Sequence, residues 1–359
     1  MVVYMITSPK ISVIVPAYNA EKYISRCLNG LLQQTYQDWE AQVVDNDSKD
    51  KTAEIIQDFA QKDQRIKYHT QKIKGPAAAR NMGLDNAQSE YLMFCDADDW
   101  YEPGMCEKML KIMSDPSIDF AICHQNIIME GTSAAALRAN RSREWPYQNS
   151  NSAAYLDEKL KAGVKIQLWN KIFRTQTVKK YGIRFPDGHF SDDDVFTFCY
   201  LSVSSRAYFL NERLYNRALV AGSIMDRVLS VDLCLFDLVD RVYSTLCLYR
   251  FLKKHDIFNS HKAFFNEIFL RENRWTLPRL SDAMIEDYLY AMRGYMLDVS
   301  FNTDDLSTSA LKILYESILA ENVVVVHDLI RQYCGSPGQW GAERYAKTLS
   351  FEQENVYVS

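Results

Sequence analysis

Residues 91–99, Tyr-Leu-Met-Phe-Cys-Asp-Ala-Asp-Asp, place three carboxylates directly after a short apolar run. The run predicts a buried β-strand. Carboxylates at the end of a buried strand repel one another unless a cation lies between them. Asp-x-Asp spacing is typical of enzymes that hold Mg²⁺ or Mn²⁺ against a diphosphate, because these ions bind one or two carboxylates together with substrate phosphates. The alternative at this point is a solvated acidic turn that caps a helix beginning near Pro103.

A strand followed by polar residues and then a helix also occurs earlier in the chain. Residues 11–17 predict a first strand, with a helix after it that has Asn19 as its N-cap. Residues 43–50 predict a second strand end that turns into a helix, and residues 75–83 open a third helix. Alternating strands and helices predict a parallel α/β sheet, in which ligands bind at the carboxyl ends of the strands.

Composition narrows the class of protein. A chain of 359 residues with 47% hydrophobic content can form one large domain and a further region. The net charge of −5 argues against a nucleic-acid partner. No apolar run approaches the ~20 residues that cross a bilayer, and the first ten residues lack a signal-peptide pattern. The eight cysteines include no Cys-x-x-Cys pair, which indicates reduced thiols and a cytoplasmic location.

Five segments, in order over residues 10–225, resemble the motifs of family 2 glycosyltransferases with the GT-A fold. The first four are Pro16-Ala17-Tyr18-Asn19, Val44-Asp45-Asn46-Asp47-Ser48-Lys49-Asp50, Ala79-Arg80-Asn81-Met82-Gly83 and Asp96-Ala97-Asp98-Asp99. The fifth comprises Trp169-Asn170-Lys171, Gly182-Ile183-Arg184-Phe185 and Asp192-Asp193-Asp194-Val195-Phe196. The resemblance implies an α/β GT-A domain, a Rossmann-like transferase of nucleoside-diphosphate sugars, over residues 1–224.

The resemblance also implies a donor site. Tyr18 would stack on a pyrimidine, and the backbone at Ala17 would bond its edge. In the family an acid accepts the hydrogen of uracil N3; Asn46 stands at that position here, and its carbonyl can still accept this bond without charge. Asp45 has the alternative role of a helix cap, and Arg80 would reach the base or a phosphate. The nucleotide-sugar site implied in this way comprises Pro16, Ala17, Tyr18, Asp45, Asn46, Arg80, Asp96, Ala97 and Arg217.

The resemblance assigns the acidic turn to ribose and metal. Asp96 would bond the ribose and Asp98 would bind Mn²⁺ or Mg²⁺, with Asp96 and Asp99 as further candidate ligands. The metal would neutralise charge on the departing nucleoside diphosphate. Arg217 is a candidate phosphate ligand, with a structural salt bridge as its alternative.

The general base is the last part of the implied site. The family uses the Asp of Glu-Asp-x-x-Phe, and the third residue before Phe196 is Asp193. Because the run Asp192-Asp193-Asp194 permits a slip of one residue, Asp194 and Asp192 are the fallback positions. Without this context, an Asp run usually marks a helix N-terminus.

Residues 225–359 predict an α-helical region. Apolar side chains recur there at helical spacing. They form a platform for an acceptor glycan, a lipid or a protein partner, or they form the interior of a helical bundle. The periodic residues are Leu235, Leu238, Val242, Leu246, Tyr249, Phe264, Phe265, Ile268, Phe269, Tyr288, Leu289, Met292 and Met296. Residues 130–152 show little periodicity and predict a long surface loop.

These features predict an inverting, metal-dependent glycosyltransferase of the hexosyltransferase type. It would move a sugar from a UDP-sugar, or another nucleoside-diphosphate sugar, to a hydroxyl of a glycan or lipid-linked acceptor. The resemblance implies bacterial surface-polysaccharide synthesis at the inner face of the plasma membrane; a peripheral membrane contact and a homo-oligomer stay open. The alternatives are a sugar-phosphate nucleotidyltransferase, which should carry a Gly-rich basic loop after the first strand, and a non-catalytic nucleotide-sugar-binding scaffold.

Overall fold

The computed structural model describes residues 9–73, 75–130, 151–188, 192–220, 235–280 and 282–334. It divides into two compact units, within Met1–Asp232 and Leu233–Ser359. Most of the loop predicted over residues 130–152 lies outside the described residues, and so does the predicted domain boundary at residues 224 and 225. Within the described ranges, no helix combines the length and the apolar character needed to span a membrane.

The N-terminal unit is built on a mixed sheet. Its strands are β1 (Ile11–Ala17), β2 (Trp39–Asp45), β3 (Ile66–Thr70), β4 (Tyr91–Phe94), β5 (Trp100–Tyr101), β6 (Phe120–Glu130), β7 (Ser152–Tyr155), β8 (Lys171–Arg174) and β9 (Arg206–Val220). The strand order is β3-β2-β1-β4-β8-β6-β9-β5, with β7 paired to β9. Strands β1 to β4 are parallel, whereas β8 runs antiparallel to both β4 and β6. Strands β6 and β9 also pair in parallel, while β5 and β7 run antiparallel to β9. The predicted α/β sheet is therefore confirmed, but it is mixed and not wholly parallel.

The helices of this unit follow the strands. They are α1 (Ile24–Leu32), α2 (Thr52–Lys62), α3 (Pro76–Asn86), α4 (Met105–Met113), α5 (Glu158–Gly163), α6 (Thr175–Tyr181) and α7 (Asp192–Ser202). The prediction that Asn19 caps α1 is wrong, because Tyr23 is the N-cap residue. Asn19 instead takes a positive φ of 46° and accepts a hydrogen bond from the Lys49 backbone N–H (2.8 Å). A short polar side chain can adopt this left-handed conformation and bond locally.

Close packing of α3 on β1 explains the glycine that ends the Ala-Arg-Asn-Met-Gly segment. A Cβ atom at Gly83 would lie 2.5 Å from Cγ2 of Ile14, which is closer than non-bonded atoms approach. Both strands beside this contact, β1 and β2, are almost entirely buried, as expected of parallel strands covered on both faces. The glycine lets α3 lie directly on the sheet, and α3 carries Arg80.

An aromatic cluster fixes α7 against β4 and β8. The Phe196 ring lies 5.4 Å from the ring centroids of both Phe94 and Phe173, and it stacks on Phe185 at 4.7 Å. Aromatic pairs of this kind contribute about 0.5–1.5 kcal/mol each beyond their buried area. Because Phe94 is the last residue of β4, the cluster holds the acidic start of α7 near the acidic turn that follows that strand.

The C-terminal unit is helical, as predicted. Its helices are α8 (Leu235–Lys254), α9 (Lys262–Thr276), α10 (Asp282–Asp298), α11 (Ser309–Leu319) and α12 (Val323–Cys334), with single 3-10 turns at Asn259–His261, Leu277–Arg279 and Thr303–Asp305. The periodic apolar residues predicted there are buried, except Leu235, which is partly exposed. They therefore form the interior of a helical bundle, while the role of this unit in acceptor, membrane or oligomer contacts stays a prediction.

Candidate active site

The first three parallel strands end level with one another at one edge of the sheet. Ala17 of β1 pairs with Asp45 of β2, and Asp45 pairs with Thr70 of β3. The backbone N–H of Asn46 then donates to the Ala17 carbonyl oxygen at 2.8 Å. Tyr18, the next residue along from Ala17, leaves 61% of its surface exposed. An exposed aromatic ring thus follows β1 at the edge where parallel sheets bind ligands.

Hydrogen bonds connect the loops that follow β1 and β2. The backbone N–H of Asn19 donates to the Ser48 hydroxyl at 3.0 Å, and the N–H of Ala20 donates to the Thr52 hydroxyl at 2.7 Å. Asp45 accepts a bond from the Ser48 backbone N–H (3.3 Å), whereas Lys51 is the N-cap of α2. The alternative role of Asp45 as a helix cap is therefore not observed. These bonds hold the ends of both strands in one fixed arrangement.

Asn46 uses both ends of its side-chain amide. Its Nδ2 donates to the carbonyl oxygens of Gln71 (3.2 Å) and Ile73 (2.6 Å), and its Oδ1 accepts from the backbone N–H of Gly75 (2.9 Å). The side chain is buried. Its predicted bond to a base stays a prediction, but the amide already holds the segment that follows β3.

The acidic turn after β4 concentrates negative charge in a poorly solvated place. Burial raises the pKa of Asp98 to about 6, and the neighbouring Asp96 carboxylate adds to the increase. Burial raises the pKa of Asp99 well above its usual range, with further increases from Asp98 and Asp96. The helix after this turn, α4, has Gly104 as its N-cap and no side-chain cap, so the alternative of a simple helix-capping turn is not observed.

Protein donors occupy both oxygens of Asp99. The Tyr215 hydroxyl donates to Oδ2 at 2.6 Å, and the Ala218 backbone N–H donates to Oδ1 at 2.7 Å. Both donors lie on β9, so Asp99 connects the acidic turn to that strand. This arrangement favours Asp96 and Asp98 over Asp99 as ligands of an external cation.

Arg26 supports the same turn and was missed by the sequence analysis. Its Nη2 donates to the backbone oxygen of Asp98 at 2.8 Å, its guanidinium pairs with Glu130, and it lies 4.0 Å from the Trp100 ring centroid. No local pattern marks Arg26, because Asp98 and Glu130 are 72 and 104 residues away in the chain.

Arg80 joins the acidic turn to the start of α7. Its Nη1 lies 2.6 Å from Asp192 Oδ2 and 2.8 Å from Asp193 Oδ1, and its Nη2 lies 3.2 Å from Asp96 Oδ1. Burial lowers the pKa of the Arg80 guanidinium, but these three carboxylates raise it by more. Three carboxylates from two separate segments, all predicted site residues, therefore meet at the Arg80 guanidinium. The predicted contact of Arg80 with a base or phosphate stays a prediction.

Two residues of the acidic run pair with Arg80, and the side chain of Asp193 is the more exposed to solvent. The side chain of Asp193 is 25% exposed, whereas that of Asp192 is 2% exposed. Burial raises the pKa of Asp193 well above its usual range, against the opposing effect of Arg80. Asp194 is buried on the same turn. A general base must be reachable by the hydroxyl that it deprotonates, and this exposure favours Asp193 over Asp192 and Asp194 as the candidate.

The Trp-Asn-Lys segment lies within electrostatic range of Asp193. Lys171 is fully buried, and its Nζ donates to the Gln167 carbonyl oxygen and to Asn170 Oδ1 (3.1 Å). Burial lowers the pKa of Lys171 to about 7, and Asp193 is the strongest opposing influence. The segment belongs to the family resemblance, but no role for Lys171 was predicted from the sequence.

Arg217 lies close to the same segment. Its guanidinium is 5.8 Å from the Trp169 ring centroid, and Trp169 stacks on Tyr215 at 4.4 Å. Arg217 also lowers the pKa of Asp98, against the increase that burial causes. It therefore lies within electrostatic range of the acidic turn, as a phosphate ligand would have to.

A divalent cation fits the pair Asp96 and Asp98. The described residues contain no group of three or more His, Cys, Asp or Glu side chains placed to hold a metal ion. Mg²⁺ and Mn²⁺ do not require such a group, since they bind one or two carboxylates and complete their shell with phosphates and water. The raised pKa of Asp98 beside Asp96 indicates a place where added positive charge would be favourable.

Comparison with known proteins gives a consistent family and fold. The model of glycosyl transferase family 2 matches residues 12–187. Over 224 residues, 61% of this chain, the sequence is 31% identical to the glycosyltransferase GlyA of Streptococcus pneumoniae, and it covers only 32% of GlyA. The fold is similar to that of residues 1–349 of S. aureus TarS, crystallised with UDP-GlcNAc. The TM-score is 0.70 at 20% identity, and the match covers 92% of this chain and 94% of that TarS fragment.

A second solved structure is similar over almost the whole chain. It is the mannosyltransferase PcManGT from Pyrobaculum calidifontis in complex with GDP-Man and Mn²⁺. The TM-score is 0.52 at 15% identity, and the match covers 98% of this chain and 88% of the other. At these identities the two structures support the GT-A fold.

Proposed function

Because this chain belongs to glycosyl transferase family 2 through residues 12–187, we propose that it is an inverting, metal-dependent glycosyltransferase. Its donor is a nucleoside-diphosphate sugar, with a UDP-sugar as the first candidate, and its acceptor is a hydroxyl of a glycan or of a lipid-linked sugar. Residues 1–224 are the catalytic domain. The sugar transfer would take place in the cytoplasm or at the inner face of the plasma membrane, as a step of surface-polysaccharide synthesis.

The observation that carries this proposal is the position of Arg80 between two groups of carboxylates. On one side is Asp96, at the edge where Tyr18 and Asn46 could receive a nucleotide. On the other side are Asp192 and Asp193, at the start of α7. A donor site and a base site that share one guanidinium lie close enough for an acceptor hydroxyl to reach the donor sugar. TarS was crystallised with UDP-GlcNAc, which supports a nucleotide-sugar donor here.

Each residue then has a chemical task. Tyr18 stacks on the base, and Asp96 bonds the ribose. Asp98 and Asp96 would hold the divalent cation, which would supply positive charge to the leaving diphosphate. Arg217 lies where it can add to that charge. Asp193 takes the proton of the attacking hydroxyl, because it is the more exposed of the two carboxylates that Arg80 holds at the start of α7.

The test of this proposal is donor turnover in matched variants. The native protein should release UDP from one member of a UDP-sugar panel when Mn²⁺ and an acceptor extract are supplied. Asp193→Asn keeps the shape of the side chain but cannot take a proton, so kcat should fall about 10²-fold or more while the KM for the donor hardly changes. A single displacement must also invert the anomeric carbon, which proton NMR of the product reports.

Two results would contradict the assignment. A fully active Asp193→Asn together with an inactive Asp194→Asn would move the base by one residue. Retention of configuration at the anomeric carbon would exclude a single displacement. The same assay tests the alternatives, because neither a nucleotidyltransferase, which would need pyrophosphate to cleave a UDP-sugar, nor a binding scaffold releases UDP from it.

A further inference from the structure

We propose that Asn46 fixes the wall of the nucleobase pocket, and that it does not read the base itself. The wall is formed by residues 71–73 and Gly75, which follow β3. This inference rests on the proposed function, because it takes the edge beside Tyr18 and Asn46 as the donor-base site. It assigns Asn46 a positioning role and Ile73 a contact with the base.

The surroundings of Asn46 leave one orientation for its amide. The carbonyl oxygens of Gln71 and Ile73 lie at one end of the side chain, and the backbone N–H of Gly75 lies at the other. Carbonyl oxygens only accept hydrogen bonds and a backbone N–H only donates, so Nδ2 must face the two carbonyls. All three partners belong to the segment after β3, and Asn46 therefore spans that segment at three points.

An aspartate at position 46 could not hold this segment in the same way. Both oxygens of an ionised carboxylate are acceptors, so one of them would face the two carbonyl oxygens of Gln71 and Ile73 with no proton between them. The family that the chain resembles has an acid at this position. The asparagine therefore gives this chain a fixed segment that an acid at position 46 would repel.

The fixed segment lies beside the expected base. Gln71 follows Thr70, which is level with Asp45 and hence with Ala17, and the Gln71 N–H donates to the Asp45 carbonyl oxygen at 2.8 Å. Within the segment, the Ile73 N–H donates to Gln71 Oε1 at 2.9 Å. Gly75 has a φ of +110°, a conformation that side chains rarely adopt, and it is the N-cap of α3. The backbone is thus held from both ends.

The side chain of Ile73 is exposed although its backbone is fixed. Ile73 is 56% exposed and Tyr18 is 61% exposed. They follow β3 and β1, the two strands on either side of β2, which Asn46 follows. Exposed apolar side chains on both sides of one polar residue form a surface on which a planar base can stack. We assign Ile73 to one face of the base and Tyr18 to the other.

The first test compares UDP affinity by calorimetry in Mn²⁺ buffer. Asn46→Asp and Asn46→Ala should both weaken UDP binding about 10-fold or more, because each loses two or three neutral hydrogen bonds that shape the pocket. Ile73→Ala should weaken it several-fold. The control is Asn86→Asp on α3, which removes one exposed bond from Nδ2 to the Met82 carbonyl oxygen (2.8 Å) and should not change UDP affinity. An Asn46→Asp variant that binds UDP as tightly as the native protein, or more tightly, would overturn the proposal.

The second test does not depend on any nucleotide. Amide hydrogen exchange at Ile73 and Gly75 should become faster in Asn46→Asp than in the native protein, and it should stay unchanged in Asn86→Asp. If the native protein bound no nucleoside diphosphate while exchange still became faster, the proposed function would fail and the positioning role of Asn46 would stand. Unchanged exchange in Asn46→Asp would overturn that role whatever the outcome of the UDP titration.

Discussion

Both units of this protein bury charged side chains, but they balance the charge differently. In the helical unit, Glu272 is 3% exposed and lies 3.3 Å from Arg241 and 2.8 Å from Arg271. In the sheet unit, Arg80 is 7% exposed and faces Asp96, Asp192 and Asp193. In the described part of the chain, one buried carboxylate thus has two guanidinium partners, and one buried guanidinium has three carboxylate partners.

This difference in charge balance distinguishes a structural ion pair from a ligand-binding site. A buried carboxylate between two cations is compensated by the protein itself, and it needs no ligand. At the sheet edge, Asp98 and Asp99 add to the three carboxylates around Arg80, and burial raises the pKa of each. Groups whose ionised form is disfavoured in this way are typical of functional sites. We interpret the excess of carboxylates as the place that a divalent cation and a diphosphate complete.

The largest expected effect tests the role of Asp98. Asp98→Asn removes the proposed metal ligand, so sugar transfer in Mn²⁺ buffer should fall about 10³-fold, in line with the several kcal/mol that a catalytic metal supplies. Without metal, the same variant should unfold at a higher temperature at neutral pH, because it removes a buried charge. Asp85→Asn is the control, since Asp85 is exposed and pairs with Arg184 at 2.6 Å. Full turnover in Asp98→Asn would contradict the claim that the carboxylates at the sheet edge bind a catalytic cation.

In the helical unit, removing the charge of a buried carboxylate should lower stability and not raise it. Glu272→Gln leaves Arg241 and Arg271 without their buried carboxylate, so the free energy of unfolding should fall by about 3 kcal/mol. Urea unfolding measures this change, and Glu316→Gln, at an exposed carboxylate of α11, is the control. A Glu272→Gln variant as stable as the native protein would mean that its ion pairs contribute nothing and that the two units do not differ as described.

The pH dependence of stability tests the burial of Lys171. Burial lowers the pKa of Lys171 to about 7 in the folded protein, whereas the ordinary value is 10.5. Between these two values only the unfolded chain carries the proton, so the free energy of unfolding should rise with pH by up to about 1.4 kcal/mol per unit. Lys171→Met should lose this rise between about pH 7 and 9, and Lys179→Met, at an exposed lysine of α6, should keep it. Equal slopes in both variants would show that Lys171 titrates normally.

Much of the fold could be predicted from the sequence, because the strand ends carry strong local patterns. The apolar run before Asp96 and the acidic run before Phe196 both marked real elements, β4 and the start of α7. The predicted cap at Asn19 was wrong, because a polar side chain after a strand can bond a neighbouring loop as well as a helix. Here Asn19 accepts its hydrogen bond from the backbone N–H of Lys49.

The contacts that assemble the site could not be predicted in the same way. Arg26 supports Asp98 across 72 residues, and Arg80 reaches Asp192 across 112. Such pairs are set by how α1, α3 and α7 pack on the sheet, and no spacing along the chain encodes them. The two bonds that Asp99 receives from β9 depend on the same packing.

The most direct measurement of the central claim is UDP affinity with and without a divalent cation. UDP is titrated into the native protein by calorimetry in Mn²⁺ buffer and again in EDTA, and both titrations are repeated with Asp98→Asn. If the carboxylate excess at the sheet edge is completed by a cation and a diphosphate, the native protein should bind UDP at least about 10-fold more tightly with Mn²⁺, and Asp98→Asn should lose that difference. Equal affinity of the native protein in Mn²⁺ and in EDTA would contradict the account.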